Sequence, residues 1–188
     1  LVDGLWTYSI EAIWSGLQDC YADLRSNVKK LYDGIEIESL AAIGVSAMMH
    51  GYMPFNEKEE ILVPFRTWRN TNTGRAAAEL SELFVYNIPL RWSISHLYQA
   101  ILNNETHVKD IKFLTTLAGY VHWQITGEKV LGIGDASGML PIDPATNNYS
   151  TEMVEKFDNL IAPKEYNWKL ENILPKVLSA GENAGVLT

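Results

Sequence analysis

The apolar positions near the start of the chain predict a long amphipathic helix. From Ile10 to Leu31, apolar residues recur at steps of three and four, which is the spacing of one helix face. Ser9 is the expected N-cap and Gly34 the expected stop. The pattern therefore predicts a helix that packs one face against the rest of the domain.

A different pattern follows this helix. Residues 40–45 (LAAIGV) form a short apolar run without alternation, which is typical of a strand buried on both faces of a parallel sheet. A helix followed by such a strand is half of a βαβ unit, and the sequence predicts no strand before the helix. We therefore expect that the chain, which begins at Leu1, is a piece of a longer protein.

The rest of the chain alternates predicted strands with predicted helices. The predicted strands are Ile61–Phe65 and Val130–Ile133. The predicted helices are Gly74–Phe84, Ile94–Leu102, Thr115–Ile125 and Glu152–Leu160. The residues after Pro163 are predicted to be mostly loop. This alternation indicates an α/β fold.

Composition narrows the class of protein. Hydrophobic residues make up 47% of the 188, which suits one soluble domain with a substantial core. Lys and Arg number 15 against 23 Asp and Glu, without a basic patch, so neither nucleic acid nor an anionic membrane is an expected partner. No apolar run approaches the roughly 20 residues of a membrane span. With one cysteine, Cys20, and no secretory signal, a cytoplasmic location is expected.

Several familiar motifs are absent from the sequence. There is no G-x-x-x-x-G-K-[ST] phosphate loop, and the glycine after Gly132 and Gly134 comes one residue too late for G-x-G-x-x-G. A near match to the G-x-S-x-G nucleophile elbow has Met48 in place of its second glycine. The four histidines lack metal-ligand spacing, so no metal site is expected.

Two loops that follow predicted strands are candidate ligand sites, because α/β proteins bind ligands at such ends. In the first, His50 offers a hydrogen bond and Gly51 permits a sharp turn; the alternative is that Met48 and Met49 fill the core and His50 only caps the strand. In the second, Asp135 lies among small residues and is open to a substrate, as a general base must be. The alternative there is an ordinary turn aspartate.

Three segments, in this order, resemble the FGGY family of carbohydrate kinases, which includes xylulokinase, ribulokinase, gluconokinase and glycerol kinase. Residues 42–51 (AIGVSAMMHG) resemble its A-I-G-…-Q-M-H-G segment. Residues 63–70 (VPFRTWRN) resemble the segment that ends in W-x-D-x-R. Residues 126–128 (TGE) with 134–139 (GDASGM) are similar to T-G-E … S-D-A-S-G-T. The intervals between the segments also match those of the family.

The resemblance implies a ribonuclease H-like (actin-like ATPase) α/β domain, the first of the two domains of a sugar kinase. Residues 1–188 would be a partial N-terminal sugar-binding domain, without the opening β-hairpin and its Asp-x-Gly-Thr phosphate loop. The nucleotide-binding C-terminal domain would be absent from this chain. The implied activity is ATP-dependent phosphorylation of a ketopentose such as xylulose or ribulose. ATP and Mg²⁺ would be held mainly by the missing parts, and the resemblance allows a homodimer.

Carried over by position, the resemblance assigns roles to six residues. Asp135 would be the catalytic base, Met49, His50 and Gly51 would line the sugar pocket, and Trp68 and Asn70 would contact sugar hydroxyls. Trp68 has two interpretations. It is either an aromatic residue that contacts the sugar or a packed residue in a solvated loop.

Two departures from the family pattern leave the sugar open. Asn70 stands where many xylulokinases have Asp, and Met48 replaces Gln. A kinase for gluconate or a hexulose is therefore an alternative, as is a carbohydrate-binding module without catalysis. Asp135 argues against the module, because a protein that only binds sugar needs no carboxylate there.

Overall fold

The computed structural model describes residues 1–2 and 4–188, in which helices and short strands alternate. The helices are α1 (Ile10–Leu31), α2 (Gly74–Phe84), α3 (Ser93–Leu102), α4 (Leu117–Thr126), α5 (Ile133–Ala136), α6 (Thr151–Ile161) and α7 (Leu170–Ile173). The strands are β1 (Thr7–Tyr8), β2 (Met53–Phe55), β3 (Phe65–Arg66), β4 (Phe113–Thr115), β5 (Val130–Gly132), β6 (Ile142–Asp143), β7 (Asn148–Tyr149) and β8 (Lys176–Leu178). Two 3₁₀ turns lie at Thr106–Asp110 and Ala162–Lys164.

Within the described residues the strands pair two by two. β1 pairs with β3, β2 with β4 and β6 with β7, all antiparallel. β5 and β8 pair in parallel, with Val130 opposite Lys176 and Gly132 opposite Leu178. The α/β class is confirmed. The pattern of residues 40–45 suggested a parallel sheet, but the only parallel pairing among the described residues is that of β5 with β8.

The helix predictions are largely confirmed. α1 begins at Ile10, where the Ser9 hydroxyl accepts the Ala12 N–H at 3.1 Å, and Gly34 follows its end with φ +86°. α2 has the predicted bounds, α3 begins one residue early, and α6 is one residue longer at each end. These segments carry their own periodicity and caps, so local information suffices to place them.

Several predicted elements are wrong. Residues 40–45 form no strand and are mostly exposed, because no described strand lies alongside to pair with their backbone groups. Of Ile61–Phe65, only Phe65 belongs to a strand. Thr115 ends β4, so α4 starts at Leu117. The loop expected around Asp135 is the one-turn helix α5. The segment after Pro163 is mostly loop, as predicted, and also contains the short elements α7 and β8.

The core consists of two clusters, and the candidate site lies beside both. The larger cluster packs α2, α3 and α6 around residues such as Leu97, Leu131 and Phe157. The smaller cluster is aromatic, with the Phe55 and Trp123 rings perpendicular at 5.2 Å. α1 packs on this second cluster through its first turns only, where Trp14 Nε1 donates to the Tyr120 hydroxyl at 3.1 Å.

No residue of α1 is fully buried. The expectation of a helix with a packed face is therefore met only near its N-terminus. None of the helices in the described part of the chain combines the length and apolar composition that crossing a bilayer requires.

Candidate active site

Asp135 lies in α5, immediately after β5. Its side chain is half-buried and borders a cavity of about 480 Å³, whose walls include Gly119, His122 and residues 178–182. Burial raises the pKa of the Asp135 carboxyl, and no neighbouring charge or hydrogen bond opposes that shift. A carboxylate in this position is a better proton acceptor than an ordinary surface aspartate.

Gly51 sits where no other residue fits. Its φ is +116°, and a Cβ there would come within 2.5 Å of the Arg66 carbonyl oxygen and 2.8 Å of the Phe65 ring. The Gly51 N–H donates to the Arg91 carbonyl at 3.2 Å, and its own carbonyl accepts the Ser93 hydroxyl at 2.6 Å. Gly51 is therefore tied through both its N–H and its carbonyl to the segment that leads into α3.

His50 is half-buried beside the Asp135 turn. Its Nδ1 lies 3.4 Å from the Gly138 carbonyl oxygen. Because a carbonyl can only accept, this contact places the proton on Nδ1 and leaves Nε2 as an acceptor. Burial, with a smaller contribution from the Arg91 charge, lowers the pKa of His50 and keeps the ring neutral at pH 7. A neutral imidazole with one acceptor nitrogen can accept a hydrogen bond from a hydroxyl group.

Gly138 is where the two predicted loops meet. A Cβ at Gly138 would lie 2.6 Å from His50 Nδ1 and would also strike the Met49 carbonyl. The glycine thus permits an approach that any larger residue would prevent. The structure brings the Met49–Gly51 loop against Gly138, three residues after Asp135, although none of the three loop residues lines the cavity that Asp135 borders.

Trp68 and Asn70 lie apart from the Asp135 cavity. Trp68 is 51% exposed. The Asn70 amide is buried: Oδ1 accepts the Trp6 N–H at 2.9 Å, and Nδ2 donates to the Trp6 and Thr67 carbonyls at 2.9 Å each. In this arrangement Asn70 ties its turn to the start of the chain. Sugar contact by Trp68 or Asn70 stays a prediction, as do the roles of the other four residues.

Two further residues lie beside the site, and no sequence pattern indicated either of them. His122 lines the cavity, and its Nε2 lies 2.8 Å from the Ala184 carbonyl oxygen. Ser93 contacts both loops from the first turn of α3. A histidine inside a helix and a serine at a helix start carry no distinctive signal, since both patterns are common in helices of every function.

No three His, Cys, Asp or Glu side chains in the described residues group closely enough to hold a metal ion. The site thus provides one carboxylate, one neutral imidazole and backbone groups. These groups can bind hydroxyls and accept a proton.

Comparison with known families identifies the family of the chain. Residues 3–188 match the sequence model of the FGGY family of carbohydrate kinases, N-terminal domain. The match covers nearly the whole chain. The chain belongs to the FGGY family of carbohydrate kinases.

Solved structures agree on the fold. A xyloylose kinase from Brucella ovis superposes with a TM-score of 0.80 at 20% identity, over 98% of this chain and 37% of that one. A xylulose kinase from Rhodospirillum rubrum gives 0.77 at 16% identity, over 99% and 38%. A gluconate kinase from Lactobacillus acidophilus gives 0.74 at 15% identity, over 99% and 36%. The chain thus spans little more than a third of the length of these proteins.

Proposed function

We propose that this chain forms the sugar-binding part of an ATP-dependent kinase that phosphorylates a ketopentose such as xylulose or ribulose. Asp135 is its general base. The observation that carries the proposal is the half-buried Asp135 carboxylate on the cavity wall, next to the loop of Met49, His50 and Gly51. Xylulose, gluconate and glycerol kinases share this fold alike, so the choice of a ketopentose rests on the motif resemblance and not on the fold.

The proposed reaction uses these groups in a simple way. The sugar hydroxyl oxygen attacks the γ-phosphorus of ATP, the bond from that phosphorus to its bridging oxygen breaks, and ADP leaves. The hydroxyl proton passes to the Asp135 carboxylate, which also aligns the attacking oxygen. His50 Nε2 accepts a hydrogen bond from another sugar hydroxyl and fixes the orientation of the sugar.

The nucleotide would be bound chiefly by the ribonuclease H-like second domain that the family resemblance implies. Mg²⁺ accompanies ATP in the proposal, but the described residues contain no group of ligands suited to it. We therefore assign no step of the reaction to a metal ligand in this chain.

The test is a phosphorylation assay of the complete kinase with Asp135→Asn. Asparagine keeps the size and one acceptor of aspartate but cannot take the proton. We expect kcat for xylulose or ribulose to fall at least about 10²-fold, with sugar Kd from tryptophan fluorescence little changed. Sugar binding without phosphorylation in the native protein would instead support a carbohydrate-binding module without catalysis.

One observation favours a second substrate class, a sugar acid such as gluconate. Arg91 is exposed, its carbonyl bonds Gly51, and its charge acts on His50. Its guanidinium makes no ion pair with the described residues. A cation without an ion-pair partner, beside the loop of residues 49–51 (the sugar loop), would attract a carboxylate.

Arg91→Gln separates the two substrate classes. If the substrate is a sugar acid, this variant raises KM for gluconate and lowers its kcat/KM well below that of the native kinase. If the substrate is a neutral ketopentose, KM for xylulose or ribulose changes little. Arg75→Gln, which alters an arginine of α2 paired with Glu79, is the matched control.

A further inference from the structure

Ser93 connects the two halves of the candidate site. It is the first residue of α3 and has no exposed surface. Its hydroxyl donates to the Gly51 carbonyl at 2.6 Å, and its backbone N–H points to the Gly138 carbonyl at 3.4 Å. The same residue thus contacts the loop that carries His50 and the turn that follows Asp135.

The start of α3 is docked on the Asp135 turn by backbone groups alone. After the contact of Ser93, the Ile94 N–H donates to the Met139 carbonyl at 3.1 Å. The first N–H groups of a helix lack partners inside the helix, so these loop carbonyls satisfy them. Neither contact depends on the identity of the side chain at position 93.

The position of the Met49–Gly51 loop, in contrast, depends on the side chain of Ser93. Within this arrangement, the Ser93 hydroxyl is the donor that reaches the Gly51 carbonyl. The Gly51 N–H is held separately by Arg91. Removing the Ser93 hydroxyl would leave α3 on the Asp135 turn and release one side of the sugar loop.

We propose that Ser93 is a positioning residue, which sets the distance between the sugar loop and the Asp135 carboxylate. This inference rests on the proposed function. The physical reason is that a proton acceptor works only within hydrogen-bond reach of the hydroxyl it serves, and small displacements of bound substrate reduce the rate strongly. Ser93 is fully buried and its hydroxyl donates to the Gly51 carbonyl, so it acts through Gly51.

Ser93→Ala tests the proposal, and Ser95→Ala is a matched control. Ser95 is also a fully buried serine of α3, but its hydroxyl donates to the Pro89 carbonyl at 2.9 Å, away from both loops. In the complete kinase we expect Ser93→Ala to lower kcat/KM for the sugar about tenfold, with KM for ATP unchanged. Ser95→Ala should leave both constants near those of the native protein.

Hydrogen exchange provides a readout that needs no substrate. Ser93→Ala should speed amide exchange in residues 49–52, whereas Ser95→Ala should not. Equal effects of the two variants on exchange in residues 49–52 and on kcat/KM would overturn the proposal, because Ser93 would then contribute only to folding. If the native protein phosphorylates no sugar, the proposed function fails, and unchanged exchange in Ser93→Ala would overturn the positioning role independently.

Discussion

At the scale of single residues, Asp135 borders a cavity, and the partial burial of its carboxyl group opposes ionisation. Its pKa is raised in the folded chain, so the folded state binds the proton more tightly than the unfolded state does. The resulting contribution to stability is present below the ordinary carboxyl pKa and is lost as pH rises through the raised value. At neutral pH the ionised Asp135 therefore destabilises the fold.

Asp135→Asn should accordingly raise the melting temperature at pH 7 while it lowers kcat. The increase should disappear near pH 3, where the native carboxyl is also neutral. Thermal unfolding at several pH values measures this, with the exposed Asp19→Asn on α1 as control. A lower melting temperature at pH 7 would show that unrecognised contacts stabilise the carboxylate.

His96 has the opposite dependence on pH. It is buried against the Tyr52 ring, its Nε2 has no hydrogen-bond partner in the described residues, and burial lowers its pKa to about 3. The unfolded state takes up a proton below about pH 6.5 and the folded state only near pH 3. Acid between these values therefore favours unfolding, by up to about 1.4 kcal/mol per pH unit.

His96→Leu should remove this part of the pH dependence. Urea denaturation between pH 7 and pH 4 should show a smaller fall in unfolding free energy for the variant than for the native protein. His122→Leu is a comparison at a histidine that is only partly buried. Parallel pH curves for the native protein and His96→Leu would mean that His96 has the same pKa in the folded and unfolded states.

At His50, a role in sugar binding can be distinguished by experiment from a role in folding stability. In the complete kinase, His50→Ala should weaken sugar binding by about 1–3 kcal/mol, because a sugar hydroxyl loses its acceptor. The ATP constant should hardly change. Calorimetry with each ligand measures both, and normal sugar affinity with a much lower melting temperature would assign His50 a purely structural role.

At the scale of elements, the turn between β5 and β6 is shaped by the contact of Gly138 with the sugar loop. Gly138→Ala would place a methyl group against the Met49 carbonyl and His50, at a cost of about 1–3 kcal/mol for an overpacked contact. We expect a lower melting temperature and a lower kcat/KM for the sugar.

Gly134→Ala is the matched control in the same turn. Nothing lies within 4 Å of a Cβ at Gly134, which belongs to α5. Alanine favours a helix over glycine, so this variant should be neutral or slightly more stable. Thermal unfolding of both variants tests the pair, and a melting temperature of Gly138→Ala equal to that of Gly134→Ala would mean that the crowding at Gly138 relaxes without cost.

At the scale of the whole molecule, the described residues supply a candidate sugar-binding loop and a candidate base but no phosphate-binding loop. The chain also lacks the G-x-x-x-x-G-K-[ST] motif. We therefore expect residues 1–188 alone to bind ATP poorly and to phosphorylate no sugar. Calorimetry with ATP, after circular dichroism has shown folded helix, measures this; micromolar affinity would refute our placement of the nucleotide site.

The sequence by itself determined the helices whose signals are local. α1, α2 and α6 have their periodicity, and α1 also its cap residue, within one continuous segment, so nothing distant is needed to place them. The sequence also indicated the family and the two loops around His50 and Asp135, because motifs in a fixed order can be recognised without any knowledge of contacts.

Only the tertiary structure decided which strands exist and how the loops meet. Residues 40–45 have the composition of a buried strand, yet a strand forms only where a partner shares its backbone hydrogen bonds. The crowding of Gly138 against His50, the bonds between Asn70 and Trp6 and the contact from Ser93 to Gly51 join residues 42 or more positions apart. Such contacts depend on how elements pack, and no local pattern of residues encodes them.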